Sequence, residues 1–149
     1  MAFGRVQGVT ITVSIVEDDA RVREELAKLI NGAKGFKCLG VYADGETALK
    51  DIPRHGPDVV LMDINLPGMS GIECVRSLKT SLPAVQIIML TVYDEVGQLF
   101  NSLLAGACGY LVKRTPSDKL LEAITEARLG GSPMTRKIAR KVVQYFHRL

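Results

Sequence analysis

Short apolar runs alternate with helical patterns five times along this chain, and that repetition limits its fold more than any other feature. Each apolar run is typical of a strand, and each is followed by apolar residues at helical spacing. The five predicted strand and helix pairs are 9–16 and 21–30, 37–42 and 44–52, 59–62 and 71–80, 86–90 and 95–104, and 109–112 and 116–129. Such a succession predicts a doubly wound α/β fold, with a five-stranded parallel sheet, right-handed crossovers and helices on both faces.

Several predicted helix ends are marked by residues with a known local role. Ser70 and Glu73 have the spacing of a capping box, so the third helix is expected to begin there. Pro53 is expected to stop the second helix. Thr115 and the residues after it are expected to cap the fifth helix, with Pro116 at its first position.

Four of the predicted strands end in polar groups that can carry chemistry. Asp63 follows the third strand, residues 17–19 (Glu-Asp-Asp) follow the first, Thr91 ends the fourth and Lys113 ends the fifth. Each has a structural explanation when taken singly, as a helix cap, a strand end or a solvated side chain. Because the carboxyl ends of parallel strands meet at one edge of a sheet, the four groups together predict a shared site around Asp63.

Four motifs resemble the receiver domain of bacterial two-component response regulators: Ile15-Val16-Glu17-Asp18-Asp19, Met62-Asp63-Ile64-Asn65-Leu66-Pro67-Gly68-Met69-Ser70-Gly71, Met89-Leu90-Thr91 and Gly109-Tyr110-Leu111-Val112-Lys113. The resemblance covers residues 9–129 and implies a flavodoxin-like (βα)5 fold. It also implies that Asp63 accepts a phosphoryl group from a phosphohistidine on a sensor histidine kinase.

The resemblance implies a Mg²⁺ site among the acidic residues. Asp18 matches the direct ligand, Glu17 a ligand that acts through water, and Asp63 and the carbonyl of Asn65 complete the set. Asp19 is then a bystander or a third acid. The chemistry agrees, because a carboxylate is a poor nucleophile unless a cation neutralises the incoming charge, and Mg²⁺ prefers oxygen ligands.

The resemblance also assigns a switch. Thr91 and Lys113 would contact the phosphoryl oxygens, and Tyr110 would move into the space that Thr91 vacates. The local change would then alter the surface formed by the fourth helix, the fifth strand and the fifth helix. Val92 is expected to narrow access to the phosphoryl group, and Asn65 and Tyr93, which flank the site, to tune attack by water.

The positive charge of the chain is concentrated in its last segment. Although the net charge is +3, residues 130–149 carry five Lys or Arg and no acid, and the preceding residues carry fourteen basic and sixteen acidic side chains. A basic helix can bind nucleic acid or a membrane surface, but a solvated helix face or a linker is the favoured interpretation. The apolar stripe predicted for this helix, expected to lack a partner within the chain, consists of Ile138, Val142, Tyr145 or Phe146, and Leu149.

The domain organisation follows from these patterns. We expect an N-terminal extension over 1–8, a receiver domain over 9–129, and a linker with a basic amphipathic helix over 130–149. The break at 130–133 and that helix resemble the linker of the NarL/LuxR-type branch, whose output is a helix-turn-helix DNA-binding domain. No second helix follows to form such a module, so the chain is expected to lead toward an absent output domain that controls transcription.

Two other function classes remain open from the sequence. A phosphohydrolase of the haloacid-dehalogenase-like group also forms an aspartyl phosphate, but would carry its nucleophile after its first strand, with a second acid two residues later; here Asp63 follows the third strand and Asn65 is not an acid. The other is a protein-interaction module that keeps the fold without the phosphoryl chemistry. A stand-alone receiver that acts by protein-protein interaction also remains possible. The favoured hypothesis is therefore a signalling domain and not an enzyme.

The expected setting is the bacterial cytoplasm. No secretory signal or membrane-spanning run is evident, and Cys38, Cys74 and Cys108 lie in no metal spacing, as expected of free thiols in a reducing compartment. The expected partners are a histidine kinase, a second copy of the chain on phosphorylation, and DNA only through the output domain.

Overall fold

A five-stranded parallel sheet with the order β2-β1-β3-β4-β5 forms the centre of the protein. The computed structural model describes residues 9–92 and 96–149. Its strands are β1 (Ile11–Val16), β2 (Phe36–Tyr42), β3 (Val59–Met62), β4 (Gln86–Thr91) and β5 (Gly109–Val112). The predicted doubly wound fold is confirmed. The strand order reverses between β1 and β3, and ligands of such sheets bind at the carboxyl ends of the strands beside this point.

Six helices surround the sheet in the described part of the chain: α1 (Ala20–Gly32), α2 (Gly45–His55), α3 (Gly71–Ser81), α4 (Val96–Ala105), α5 (Ser117–Arg128) and α6 (Arg136–His147). The predicted 1–8 extension and the predicted start of the fourth helix at Glu95 lie outside the described residues. Within those residues, no helix has the length and apolar character that crossing a membrane requires.

Strand β3 shows how the sequence builds the two apolar layers. All four of its side chains are buried, but they point alternately to opposite faces. Val59 and Leu61 lie in one cluster with residues of α1 and α5, whereas Val60 and Met62 lie in the other with residues of α2, α3 and α4. A strand covered on both faces needs apolar residues at every position, which explains the unbroken run.

Two of the predicted helix ends are wrong, although the capping box of Ser70 and Glu73 is present. Helix α2 continues through Pro53 to His55, and Gly56, whose φ of 56° is left-handed, is its C-cap. The missing N–H of Pro53 affects only the last turn, and burial of Ile52 holds that turn on the sheet. Pro116 is the N-cap of α5 and not its first residue. Among the residues that the structure describes, no side chain makes a capping hydrogen bond to this helix.

The expectation that α6 lacks a partner within the chain is also wrong. Ile138 is 1% exposed and lies in the apolar cluster that contains Leu99 and Tyr110. Further along α6, the ring of Tyr145 lies 3.8 Å from that of Phe100, centroid to centroid. Helix α6 therefore packs against α4 and β5, and the body of the domain supplies the surface that the apolar stripe requires.

The segment before α6 covers the free edge of β5. The backbone N–H of Tyr110 donates to the carbonyl of Pro133 at 3.0 Å, and Tyr110 and Met134 form a parallel bridge. Gly109 permits this approach, because a Cβ at that position would lie 2.8 Å from Pro133. The unpaired edge of the sheet is thus partly occupied by the linker.

The three cysteines are free thiols. Cys74 is fully buried, and burial raises the pKa of its thiol to about 12. Cys38 and Cys108 are half-buried. Cys74 therefore behaves as a small apolar side chain of the core.

Candidate functional site

Three carboxylates meet at the point where the strand order reverses. Glu17 follows β1 and Asp63 follows β3, and the residues before them, Val16 and Met62, are register partners. Glu17 is 2% exposed and Asp63 is 4% exposed, whereas Asp18 is open to solvent. One carboxylate oxygen from each of Glu17, Asp18 and Asp63 lies within 4.8 Å of the others. The expected convergence of these acids is therefore found.

Lys113 supplies the positive charge of this cluster. Its Nζ lies 2.6 Å from Oε1 of Glu17 and 3.1 Å from Oδ2 of Asp63, with 19% of the side chain exposed. Its backbone N–H also donates to the carbonyl of Thr91 at 2.7 Å. The contact with Asp63 agrees with the predicted shared site around that residue, but the shorter contact with Glu17 was not anticipated. In this state one ammonium group bridges two buried carboxylates.

The two predicted switch residues are both buried on neighbouring strands. Thr91 is the last residue of β4 and lies opposite Val112. Tyr110 lies one strand over, opposite Met89, with its side chain in the apolar cluster beneath α3 and α4. Thr91 is thus at the carboxyl edge of the sheet, and Tyr110 is at the surface on which α6 packs.

Of the residues expected to flank the site, the structure describes Asn65 and Val92. The backbone N–H of Asn65 donates to Oδ1 of Asp63 at 3.3 Å, and Val92 is exposed. The predicted roles of the Asn65 carbonyl and of Val92 stay predictions. Tyr93 lies outside the described residues.

Asp19 caps α1 and is a bystander to the cluster of carboxylates. Its side chain accepts from the N–H groups of Arg21 and Val22, while its own N–H donates to Oε2 of Glu17 at 3.1 Å. The sequence interpretation missed Arg23, whose Nη1 donates to the carbonyls of Glu17 and Asp18. A basic residue in the first turn after an acidic run was the signal available.

Burial and hydrogen bonding have opposite effects on the pKa values of the charged groups at this site. Burial raises the pKa of Glu17, and the hydrogen bonds from Lys113 and the Asp19 N–H offset part of that effect. Burial disfavours the charged form of Lys113, but its contacts with Glu17 and Asp63 outweigh this and raise its pKa. The pocket therefore carries more negative charge than Lys113 neutralises, which favours a further cation.

A first prediction concerns Glu17→Gln in EDTA. Since the folded pKa of Glu17 is raised above its ordinary value of 4.5, the stability that protonation contributes is present below 4.5 and lost as the pH rises through the folded value. Glutamine does not ionise, so the variant keeps its stability as the pH rises through this range. We expect its thermal midpoint to exceed that of the wild type at neutral pH, and the difference to shrink toward pH 4.5.

The measurement is thermal unfolding in EDTA across that pH range, with exposed Glu24→Gln on α1 as the control. Adding Mg²⁺ should stabilise the wild type more than the Glu17 variant, because the variant has lost one charged ligand. A Glu17 variant less stable than the wild type at neutral pH would contradict the assigned cost of burying this charge.

Gly71 keeps the turn after Asp63 close to the start of α3. Its N–H donates to the carbonyl of Ile64 at 2.8 Å, and a Cβ at this position would overlap the carbonyl oxygen of Asp63. We expect Gly71→Ala to lower the free energy of unfolding by roughly 2 kcal/mol, because the backbone that carries Asp63 must shift. Urea denaturation measures this loss.

Gly97→Ala in α4 is the matched control, since a Cβ there would meet no heavy atom of the described residues within 4 Å. Alanine is favoured over glycine in a helix, so this control should be neutral or stabilised. Equal effects of the two substitutions would show that the close approach at Gly71 is not what matters.

The donor set of the cluster fits Mg²⁺. Glu17, Asp18 and Asp63 offer oxygen ligands only, and this ion binds one or two carboxylates while keeping several waters. A carboxylate beside a bound cation and an ammonium group can accept a phosphoryl group, because both charges neutralise the incoming oxygens.

Comparisons with known proteins agree with this geometry. The transcriptional regulatory protein DegU of Brevibacillus brevis is 31% identical over 139 residues, covering 93% of this chain and 59% of that protein. An uncharacterised transcriptional regulatory protein, YxjL of Bacillus subtilis, is 33% identical over 133 residues, covering 89% of this chain and 61% of that protein. The chain thus spans about three fifths of the length of these relatives.

Solved structures share the fold. A LuxR-family two-component response regulator from Aurantimonas sp. SI85-9A1 has a TM-score of 0.86 and 29% identity, covering 92% of this chain and 98% of that one. The CheX-CheY-BeF3-Mg complex from Borrelia burgdorferi has a TM-score of 0.73 and 27% identity, covering 78% and 88%. The family model for the response regulator receiver domain matches residues 13–125. The carboxylates and the lysine lie at the edge of the sheet where this fold binds ligands. On the family match and this arrangement, the chain belongs to the response regulator receiver domain family.

Proposed function

We propose that the protein is a phosphorylation-activated switch in which Asp63 accepts a phosphoryl group from a histidine kinase. The observation that carries this proposal is the meeting of three carboxylates, Glu17, Asp18 and Asp63, with Lys113 bonded to two of them. Receiver domains of response regulators act with histidine kinases, so the partner follows from the family.

In the proposed step, an oxygen of Asp63 attacks the phosphorus of a phosphohistidine. An O–P bond forms, the N–P bond breaks, and its electron pair returns to the imidazole. Asp18, Asp63 and the carbonyl of Asn65 would hold Mg²⁺ directly, and Glu17 through water. The ion, when bound, neutralises the charge on the phosphoryl oxygens. A neighbour of similar fold has been crystallised with BeF3 and Mg²⁺, which supports this chemistry.

Lys113 and Thr91 would sense the transferred group. Lys113 already contacts Asp63 at 3.1 Å, so a small movement brings its ammonium group to a phosphoryl oxygen. Its backbone is hydrogen-bonded to Thr91, whose hydroxyl would donate to a second oxygen. Displacement of Thr91 would free space beside β4.

Tyr110 would carry the change toward the α4, β5 and α5 surface. It is fully buried in the apolar cluster that also contains Leu99 of α4 and Ile138 of α6. Its N–H is bonded to Pro133 in the linker. A shift of Tyr110 would therefore reach both α4 and the segment that leads into α6.

The output of this switch is proposed from the relatives. DegU and YxjL are transcriptional regulatory proteins, and the chain matches about three fifths of each. We infer that the receiver acts in a NarL/LuxR-type regulator, dimerises on phosphorylation in the cytoplasm, and controls DNA binding by an output domain. A stand-alone receiver would use the same surface for protein contacts. The phosphohydrolase alternative is not favoured, because Asp63 follows β3 and no acid stands at position 65.

Acetyl phosphate with Mg²⁺ tests the proposal. We expect the intact mass to rise by one phosphoryl group, the gain to be suppressed by EDTA, and the labelled protein to elute as a larger species on size exclusion. Small phosphomonoesters should not be turned over. Fast multiple turnover would favour a phosphohydrolase, and an unlabelled wild type would favour an interaction module without phosphoryl chemistry.

A further inference from the structure

We propose that Arg23 is a positioning residue that holds the backbone of Glu17 and Asp18 in the conformation that binds the cation. The inference rests on the proposed function, since it concerns the same Mg²⁺ site. Arg23 lies in α1 and is half-buried. Its Nη1 donates to the carbonyl of Glu17 at 2.8 Å and to that of Asp18 at 3.2 Å.

The two carbonyls lie where the sheet no longer fixes the chain. Strand β1 ends at Val16, and the N–H of Glu17 makes the last bond to β2, with Tyr42 as acceptor at 2.9 Å. Beyond this bond the chain turns into α1. The directions of the Glu17 and Asp18 side chains therefore depend on the backbone conformation of the turn. The guanidinium group of Arg23 bonds to both carbonyls of that turn at once.

Helix α1 fixes the position of the Arg23 backbone, and we call the two hydrogen bonds from Arg23 to the turn the Arg23 clamp. Asp19 caps the helix, and its N–H also donates to Oε2 of Glu17 at 3.1 Å. Arg23 is therefore attached to a capped helix, and its hydrogen bonds tie the turn to that helix. Two hydrogen bonds from one charged donor to the same turn favour the backbone conformation in which both are made.

Charge and geometry predict opposite effects of removing Arg23. As a positive charge near Glu17, Asp18 and Asp63, arginine repels a cation, so its removal would tighten Mg²⁺ binding if charge were its main contribution. As a clamp, it holds two ligands in place, so its removal would weaken binding. The sign of the change separates the two roles.

The experiment compares Mg²⁺ binding by Arg23→Met, Arg23→Lys and Arg21→Met, followed by backbone amide shifts during a Mg²⁺ titration without any phosphodonor. Arg21 is the matched control, because it lies in the same turn of α1 but is exposed, with its Nε 3.5 Å from Glu25. We expect about a tenfold weaker apparent affinity in Arg23→Met, because this variant loses both hydrogen bonds from Nη1 to the turn. Arg23→Lys should recover part of it, and Arg21→Met should match the wild type.

A second readout is the rate of labelling by acetyl phosphate. The Arg23→Met rate should fall at limiting Mg²⁺ and approach the wild-type rate at saturating Mg²⁺, since Asp63 and Lys113 are unchanged. Unaltered or tighter Mg²⁺ binding by Arg23→Met would overturn the inference. If that variant unfolds in EDTA, Arg23→Lys against Arg21→Lys decides it: weaker binding in the first alone supports the clamp, and equal binding overturns it.

Failure of this inference is distinguishable from failure of the proposed function. Wild type that binds Mg²⁺ but takes no phosphoryl group would refute the switch, while the comparison of Mg²⁺ affinities would still judge Arg23. Wild type that is labelled normally, with Arg23→Met equal to it at every Mg²⁺ concentration, would refute only the role of Arg23.

Discussion

Replacing Lys113 with methionine is expected to lower the free energy of unfolding in EDTA by about 3 kcal/mol, because it leaves buried carboxylates without their cation. Lys113 contacts both Glu17 and Asp63, which are almost fully buried. Methionine fills the same volume without charge. Urea denaturation at neutral pH measures the loss, and Mg²⁺ should restore part of it by pairing with the same carboxylates.

Lys119→Met on α5 is the control for the loss of one lysine. Its side chain is largely exposed and pairs with Glu122 within one turn, so the expected change is small. If Lys113→Met were as stable as this control in EDTA, Lys113 would not be the resting partner of the cluster.

Ile138→Asp is expected to release α6 from the domain. Ile138 is fully buried among residues of α4 and β5, and an unpaired carboxylate there would have no partner in the apolar cluster. A detached helix of this length is marginal in water. We expect lower helix content by circular dichroism and rapid hydrogen exchange at the amides of residues 136–147 and of Tyr110, whose N–H is bonded to Pro133.

Val143→Asp is the control, because Val143 lies on the same helix and is 44% exposed. Its exchange pattern should match that of the wild type. Unchanged protection in Ile138→Asp would contradict the packing of α6 on the receiver body.

The sheet and the acidic cluster were predictable because their signals are local. A short apolar run such as Val59 to Met62, ended by turn residues, is typical of a strand covered on both faces. The alternation of strands and helices predicts parallel strands, whose carboxyl ends meet at one edge of the sheet. Asp63 and Glu17 could therefore be brought together without coordinates. The capping box at Ser70 is equally local, since both of its hydrogen bonds lie within four residues.

What the sequence interpretation missed depends on contacts between distant segments. The periodicity of α6 shows an apolar face but not the surface that covers it, which is built from α4 and β5 far earlier in the chain. Pro53 was expected to end α2 because local propensity was considered without the burial of Ile52. The bond from Lys113 to Glu17 likewise joins residues that follow β5 and β1, far apart in the chain. The crowding at Gly71 arises within the loop from β3 to α3, but it depends on backbone positions that the residue pattern does not give.

The most direct test of the central claim is the intact mass of Asp63→Asn after incubation with acetyl phosphate and Mg²⁺, beside wild type and Asp19→Asn. Asparagine also caps helices well, so the Asp19 variant keeps its fold and every residue of the proposed ligand set. We predict one added phosphoryl group on the wild type and on Asp19→Asn, and none on Asp63→Asn. Full labelling of Asp63→Asn would contradict the account.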